Sequence, residues 1–180
     1  MKDVPFVHLH VHTEFSLLDG LAHYYQELRD ELLAEGAVFR SDTDTEVIVH
    51  LVERYLGQGI ELDEAARRAM MHLKGAHGIV LISSREPDRI VAARIGNAGG
   101  VVVGIGDGEM YIASDLPAIL EHTREVIFLE SRQMAVVTEK HVMVQTLERE
   151  AVQPQIHHIT WDPVSAEKGE DRHFMHKEIH

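Results

Sequence analysis

Apolar residues alternate with histidines along Pro5–His12, where Phe6, Val7, Leu9 and Val11 interleave with His8, His10 and His12. A period of two predicts a short strand. Asp19-Gly20 reads as a turn, and the period then lengthens. Tyr24, Tyr25, Leu28, Leu32 and Leu33 predict a helix over Leu21–Glu35 with Gly36 at its C-cap, its Glu27/Glu31 and Glu31/Glu35 pairs facing solvent. Arg40–Glu46 is a polar loop, and Thr43 followed by Glu46 has the spacing of a capping box. Val47, Ile48, Leu51, Val52 and Leu56 form the apolar stripe of a second helix, stopped by Gly57 and Gly59. A third helix is expected over Asp63–Lys74, stopped by Gly75.

Beyond Gly75 the apolar runs shorten. Strands are expected at Gly78–Ile82, Arg89–Arg94, Val101–Ile105, Glu109–Ala113, Val126–Leu129, Met134–Thr138 and His141–Gln145, with a short helix over Ser114–His122. Links this short favour antiparallel pairing over crossover helices. Ile156–Trp161 reads as extended, and a helix is expected from about Val164. Helices first and a meandering sheet afterwards give an α+β class.

Composition narrows the chemistry. Seventeen Lys and Arg face 30 Asp and Glu, a formal net charge of −13, which disfavours a nucleic-acid partner. No apolar run approaches the roughly 18 residues of a membrane span, and no secretory leader is visible, so a cytoplasmic location is expected. With no cysteine among the 180 residues, disulfides, Cys-ligated zinc and a thiolate nucleophile are excluded. Fourteen histidines include the groups His8/His10/His12, His157/His158 and His173/His176/His180. The last two groups are expected in ordinary packing and on a solvated helix face. Gly96–Gly100 and Gly104–Gly108 lack the Lys-Ser/Thr ending of a phosphate loop and are expected as turns in the sheet.

Several strings carry a resemblance. Ser41-Asp42-Thr43-Asp44-Thr45-Glu46-Val47, Ala93-Arg94-x-Gly96, Gly104-x-Gly106-x-Gly108-Glu109, Ile112-Ala113-Ser114-Asp115 and Glu167-Lys168-Gly169 through Ile179 occur in one order. Together, over residues 19–180, they resemble the glutaminase (class II glutamine amidotransferase) domain of glutamine–fructose-6-phosphate aminotransferases, transferases of hexosamine synthesis. The resemblance implies an αββα sandwich of the N-terminal-nucleophile hydrolase type, incomplete here. It also implies glutamine chemistry by an N-terminal cysteine with an Asn-Gly oxyanion hole. Asp44, beside Thr43, matches the aspartate that holds the substrate α-amino group, and could otherwise be a plain N-terminal helix acid. Gly20 falls at the glycine of the Asn-Gly pair, or is only a turn glycine. Asp19 stands where the family has asparagine and, ionised, cannot donate to an oxyanion. The cysteine and the family's Arg-Trp-Ala-Thr-His-Gly segment have no counterpart, so no catalytic residue is assigned and glutamine hydrolysis is not expected. Glutamine or glutamate remains the expected ligand, without a cofactor.

Phe6–Gly20 is similar to the start of the PHP domain of bacterial replicative DNA polymerases, where a His-x-His pair opens a metal-dependent phosphoesterase site. His10 and His12 match that pair and His8 shares their face, giving zinc or manganese as an alternative cofactor. The chain therefore reads as a PHP-like segment (1–20), a glutaminase-like domain (21–163) and a segment leading toward an isomerase domain (164–180), a chimeric or designed arrangement. A non-catalytic glutamine-binding domain and a phosphoesterase fragment are the alternative functions. Pro5–His12 could fill one strand position; sheet edges left open would invite self-association.

Overall fold

The computed structural model describes residues 7–13, 19–97 and 99–160, with side chains from Tyr24 onward in that range, residue 44 excepted. A strand β1 (Val7–Thr13) precedes three helices, α1 (Asp19–Ala34), α2 (Asp44–Gly57) and α3 (Leu62–Met71). Nine strands follow: β2 (His77–Ser83), β3 (Glu86–Ile95), β4 (Val102–Ile105), β5 (Met110–Ala113), β6 (Glu125–Phe128), β7 (Gln133–Thr138), β8 (Val142–Thr146), β9 (Ala151–Val152) and β10 (His157–His158).

Every pairing is antiparallel. The strands form a six-stranded sheet, β1-β2-β3-β7-β8-β9, and a four-stranded sheet, β10-β6-β4-β5. The larger sheet is covered on both faces. Ile79, Leu81, Val91, Ala93, Met134 and Val136 point to the helices, while Ala92, Ala135 and Val137 pack on Val101, Val103, Ile127 and Leu129 of the smaller sheet. Double coverage explains why these strands read as unbroken apolar runs rather than alternations. The helices bury Leu32, Ile48, Leu51 and Met70, and Ala65, Ala66 and Ala69 bring α3 close to its neighbours. Across the outer face of the smaller sheet lies a third cluster, Val102, Ile119 and Val126. The layers run helix, sheet, sheet.

Several expectations shift. α1 begins at Asp19, so Asp19-Gly20 is its first turn rather than a preceding one. Its end is as expected: Gly36 has φ +96°, Ala37 N–H donates to Leu32 O and Gly36 N–H to Leu33 O, a Schellman closure. α3 stops at Met71, earlier than Lys74. The helix expected over Ser114–His122 is a single 3₁₀ turn at Leu116–Ala118 holding Pro117, followed by isolated turns. β9 was not legible, being two residues long. Gly104 lies inside β4, not in a turn. The strand expected over Pro5–His12 is present as β1, which takes an edge position beside β2. Residues 161–180, with His173, His176 and His180, lie outside the described residues. No helix among those described is long and apolar enough to cross a membrane.

Candidate functional site at the start of helix α2

The loop before α2 is built around one carboxylate. Glu46 accepts hydrogen bonds from the backbone N–H of Arg40 and of Ser41, both at 2.7 Å, and from Ser41 Oγ at 2.5 Å. This is not the capping box that the sequence suggests. Thr43 is the N-cap, with extended φ −79° and ψ 139°, yet its hydroxyl makes no cap bond. Thr43 Oγ1 lies 2.8 Å from Ser41 Oγ instead. Glu46 reaches past Thr43 because Arg40 and Ser41 are free loop donors lying directly before the helix. Burial pushes the Glu46 carboxyl up, but the bonds from Ser41, from the Arg40 and Ser41 backbone and from His50 outweigh it and hold it below the ordinary glutamate range.

A second layer fixes the loop to α1. Arg29 donates to Ser41 O at 3.0 Å, lies 3.5 Å from Asp42 and stacks 4.3 Å above the Phe39 ring. Phe39 in turn meets the His50 ring at 4.4 Å, and His50 sits 3.5 Å from Glu46 and 3.3 Å from Glu53. The spacing of Ser41 and Glu46 gave no signal for this latch, because five residues is not a recognised local hydrogen-bond spacing.

Asp44 is the first residue of α2, one residue past the cap. The Asp44 side chain itself lies outside the described residues. A helix N-terminus presents unpaired backbone N–H groups, favouring a carboxylate there; that carboxylate can meet an ammonium. Asp19 and Gly20 also open a helix, α1. The two helix starts are thus the places of all four expected substrate residues. Histidines 8, 10 and 12 stand at alternate positions of β1 opposite Ile82, Val80 and Gly78. The side chains of these three histidines lie outside the described residues; among the residues whose side chains are described, no group of His, Asp and Glu is arranged to hold a metal ion. His157 packs against Phe128 at 5.4 Å and His158 is exposed, the ordinary roles expected of them.

A separate cleft of about 320 Å³ opens between the sheets, lined by Gly78, Val80, Gly100, Val101, Ile112, Ala113 and Ser114. Among the residues whose side chains are described, Thr43, Thr45 and Glu46 do not line it.

Comparison with known proteins follows this geometry. The chain is 44% identical over 176 residues to a glutamine–fructose-6-phosphate aminotransferase of Methanothermobacter thermautotrophicus, covering 95% of this chain and 29% of that protein. It is 45% identical over 177 residues to the protein of the same name from Symbiobacterium thermophilum, covering 95% and 28%. The chain thus spans under a third of the length of the curated relatives it matches. The solved structure of glutamine phosphoribosylpyrophosphate amidotransferase from B. subtilis superposes with a TM-score of 0.60 at 19% identity, covering 79% of this chain and 29% of that one. That likeness gives the fold: an α+β sandwich of the N-terminal-nucleophile type. Residues 5–121 match the glutamine amidotransferase domain family, and the chain belongs to that family.

Proposed function

We propose that this chain is the glutaminase-type portion of a glutamine–fructose-6-phosphate aminotransferase, serving hexosamine synthesis, and that it binds glutamine or glutamate without hydrolysing it. The carrying observation is the 44% identity sustained over 95% of the chain with a relative of that name. Asp44 receives the ligand's α-ammonium at the start of α2, with Thr43 beside it and Asp19 and Gly20 at the second helix start. Amide splitting needs a nucleophile, and these 180 residues contain no cysteine. Asp19 in place of an amide donor also disfavours an oxyanion.

Two assays test the reading. Purified chain incubated with glutamine is expected to release no glutamate or ammonia above a heat-inactivated control; turnover would end the claim that it only binds. Glutamine is expected to raise the melting temperature of the wild type but not of Asp44→Ala. Equal shifts in both proteins would remove Asp44 from the pocket.

A further inference from the structure

The strands at the edges of the two sheets, β1 and β9 of the larger and β10 and β5 of the smaller, are not alike. β9 and β10 are each 2 residues long. β5 has 4 residues and is flanked by exposed Asp107, Glu109 and Asp115. Short length and charge are ordinary ways of keeping a sheet edge from pairing further. β1 has neither. It runs for 7 residues, Val-His-Leu-His-Val-His-Thr, with no acidic residue, lysine, arginine or proline, on a chain of net charge −13. Among the described residues no strand pairs with its outer side.

The hydrogen-bond phase of the larger sheet fixes what that edge offers. Arg132 N–H donates to Arg94 O and Thr138 N–H to His141 O, so the main chain of Arg94 faces β7 and that of Thr138 faces β8. Successive residues of an antiparallel strand bond to opposite neighbours. Ala93 and Val91 therefore bond to Ile79 and Leu81, which leaves Gly78, Val80 and Ile82 to bond to His12, His10 and His8. The N–H and C=O groups of Val7, Leu9, Val11 and Thr13 are the ones that point outward from the sheet. The string also reads alike in both directions. An antiparallel copy centred on His10 matches every residue of the strand: Val7 with Thr13, Leu9 with Val11, and each histidine with a histidine. The outward groups meet in that register, so the ladder continues unbroken. With histidine neutral, no like charges are opposed, although each chain is strongly acidic.

We propose that β1 pairs with β1 of a second copy of this chain, antiparallel about a two-fold axis at His10, joining the two six-stranded sheets into one continuous sheet. The axis uses the β1 edge of both copies, and the edges that remain are short or charged. The pairing therefore closes at two chains instead of growing into a fibre. This is independent of whether glutamine binds at Asp44.

The test is the mass of the whole chain by light scattering after size-exclusion chromatography, over a series of loading concentrations at neutral pH. A shift from one chain mass to two is expected as concentration rises. Leu9→Pro removes an outward N–H and no bond to β2. Because each copy loses a bond, the dissociation constant of the dimer should rise at least about tenfold, with far-UV circular dichroism retained. Charge tests the register. His8→Glu/His12→Glu sets glutamate opposite glutamate on both sides of the axis and should give a monomer. His8→Glu/His12→Lys alters the same positions but sets glutamate opposite lysine, and should restore the dimer. This pair decides the matter should Leu9→Pro fail to fold. A monomer at every concentration would overturn the proposal. So would a dimer undiminished by a folded Leu9→Pro, equal behaviour of the two charge variants, or a mass that climbs past two chains.

Discussion

The two most distinctive strings of this chain do opposite work. Ser41–Val47 runs from a surface loop into the first turn of α2, and its backbone donors are held through Glu46 while Thr43 is left without a capping bond. Gly104–Glu109 holds little by hydrogen bonds and much by absence. A Cβ on Gly104 would stand 2.7 Å from Thr123 Cγ2, 3.0 Å from Ile119 Cδ1 and 3.3 Å from Tyr111 Cβ. The same motif density thus arises from two causes: one string fixes the entry to α2, and the other lets a hairpin close against a 3₁₀ turn.

The largest effect expected on either side is at Gly104. Gly104→Ala overpacks the outer cluster and should cost about 1–3 kcal/mol, a fall in melting temperature of roughly 2–4 °C for each kcal/mol in a chain this size. Combining it with Thr123→Ser removes the methyl in closest conflict while keeping the hydroxyl that donates to Ile105 O, and should recover part of the loss. No recovery would place the strain elsewhere. Gly106→Ala comes next. Its Cβ would meet Tyr111 Cε2 at 2.9 Å and Glu109 O at 3.0 Å. The Tyr111 ring is half-buried and can shift, so about 1 kcal/mol is expected by thermal denaturation; a loss equal to that at Gly104 would show that the backbone oxygen, not the ring, is the obstacle.

On the polar side, Glu46→Gln keeps the shape of the latch and removes its charge. Charge-assisted bonds are the stronger kind, but this carboxylate is partly solvated, so a loss of about 1 kcal/mol is expected. The pH dependence carries a sign. The folded-state pKa of Glu46 lies below its ordinary value of about 4.5, so its stabilisation is complete above that value and disappears as pH falls through the lower folded one. Melting temperatures measured from neutral to acid pH should converge for wild type and Glu46→Gln at the acid end. A gap that persists there would assign the difference to geometry rather than to charge.

The contrast also explains what was legible beforehand. Helices and central strands were readable because Leu28, Leu51, Ile79 and Val91 repeat at the spacing of their elements and are buried where that spacing puts them. The division into two sheets is not a property of period: Val91 and Ala92 face different neighbours, and both are simply apolar. That division, and the αββα layering, entered through resemblance instead. The Ser41–Val47 string was legible by its motif, whereas the latch around Glu46 was not, because Arg29, Phe39 and His50 meet only after α1 and α2 have packed. The helix expected after Ser114 failed because a proline and the packing of Ile119 on Val126 and Val102 favour a single tight turn there.

The smallest effect expected is the most telling for the site. A threonine at an N-cap ordinarily contributes about 1 kcal/mol through its side-chain bond to the first helical turn. The Thr43 side chain makes no such bond, and its hydroxyl lies 2.8 Å from Ser41 Oγ. Thr43→Ala should therefore change stability by less than about 0.5 kcal/mol, within the range of ordinary surface substitutions. If Thr43 borders the glutamine pocket, the same variant should still weaken the thermal shift that glutamine produces. Stability that hardly moves while ligand response falls would separate binding from folding at this residue. A loss of a full kcal/mol without ligand would mean that the hydroxyl caps α2 in solution, and Thr43 would then belong with the structural residues on the other side of the comparison.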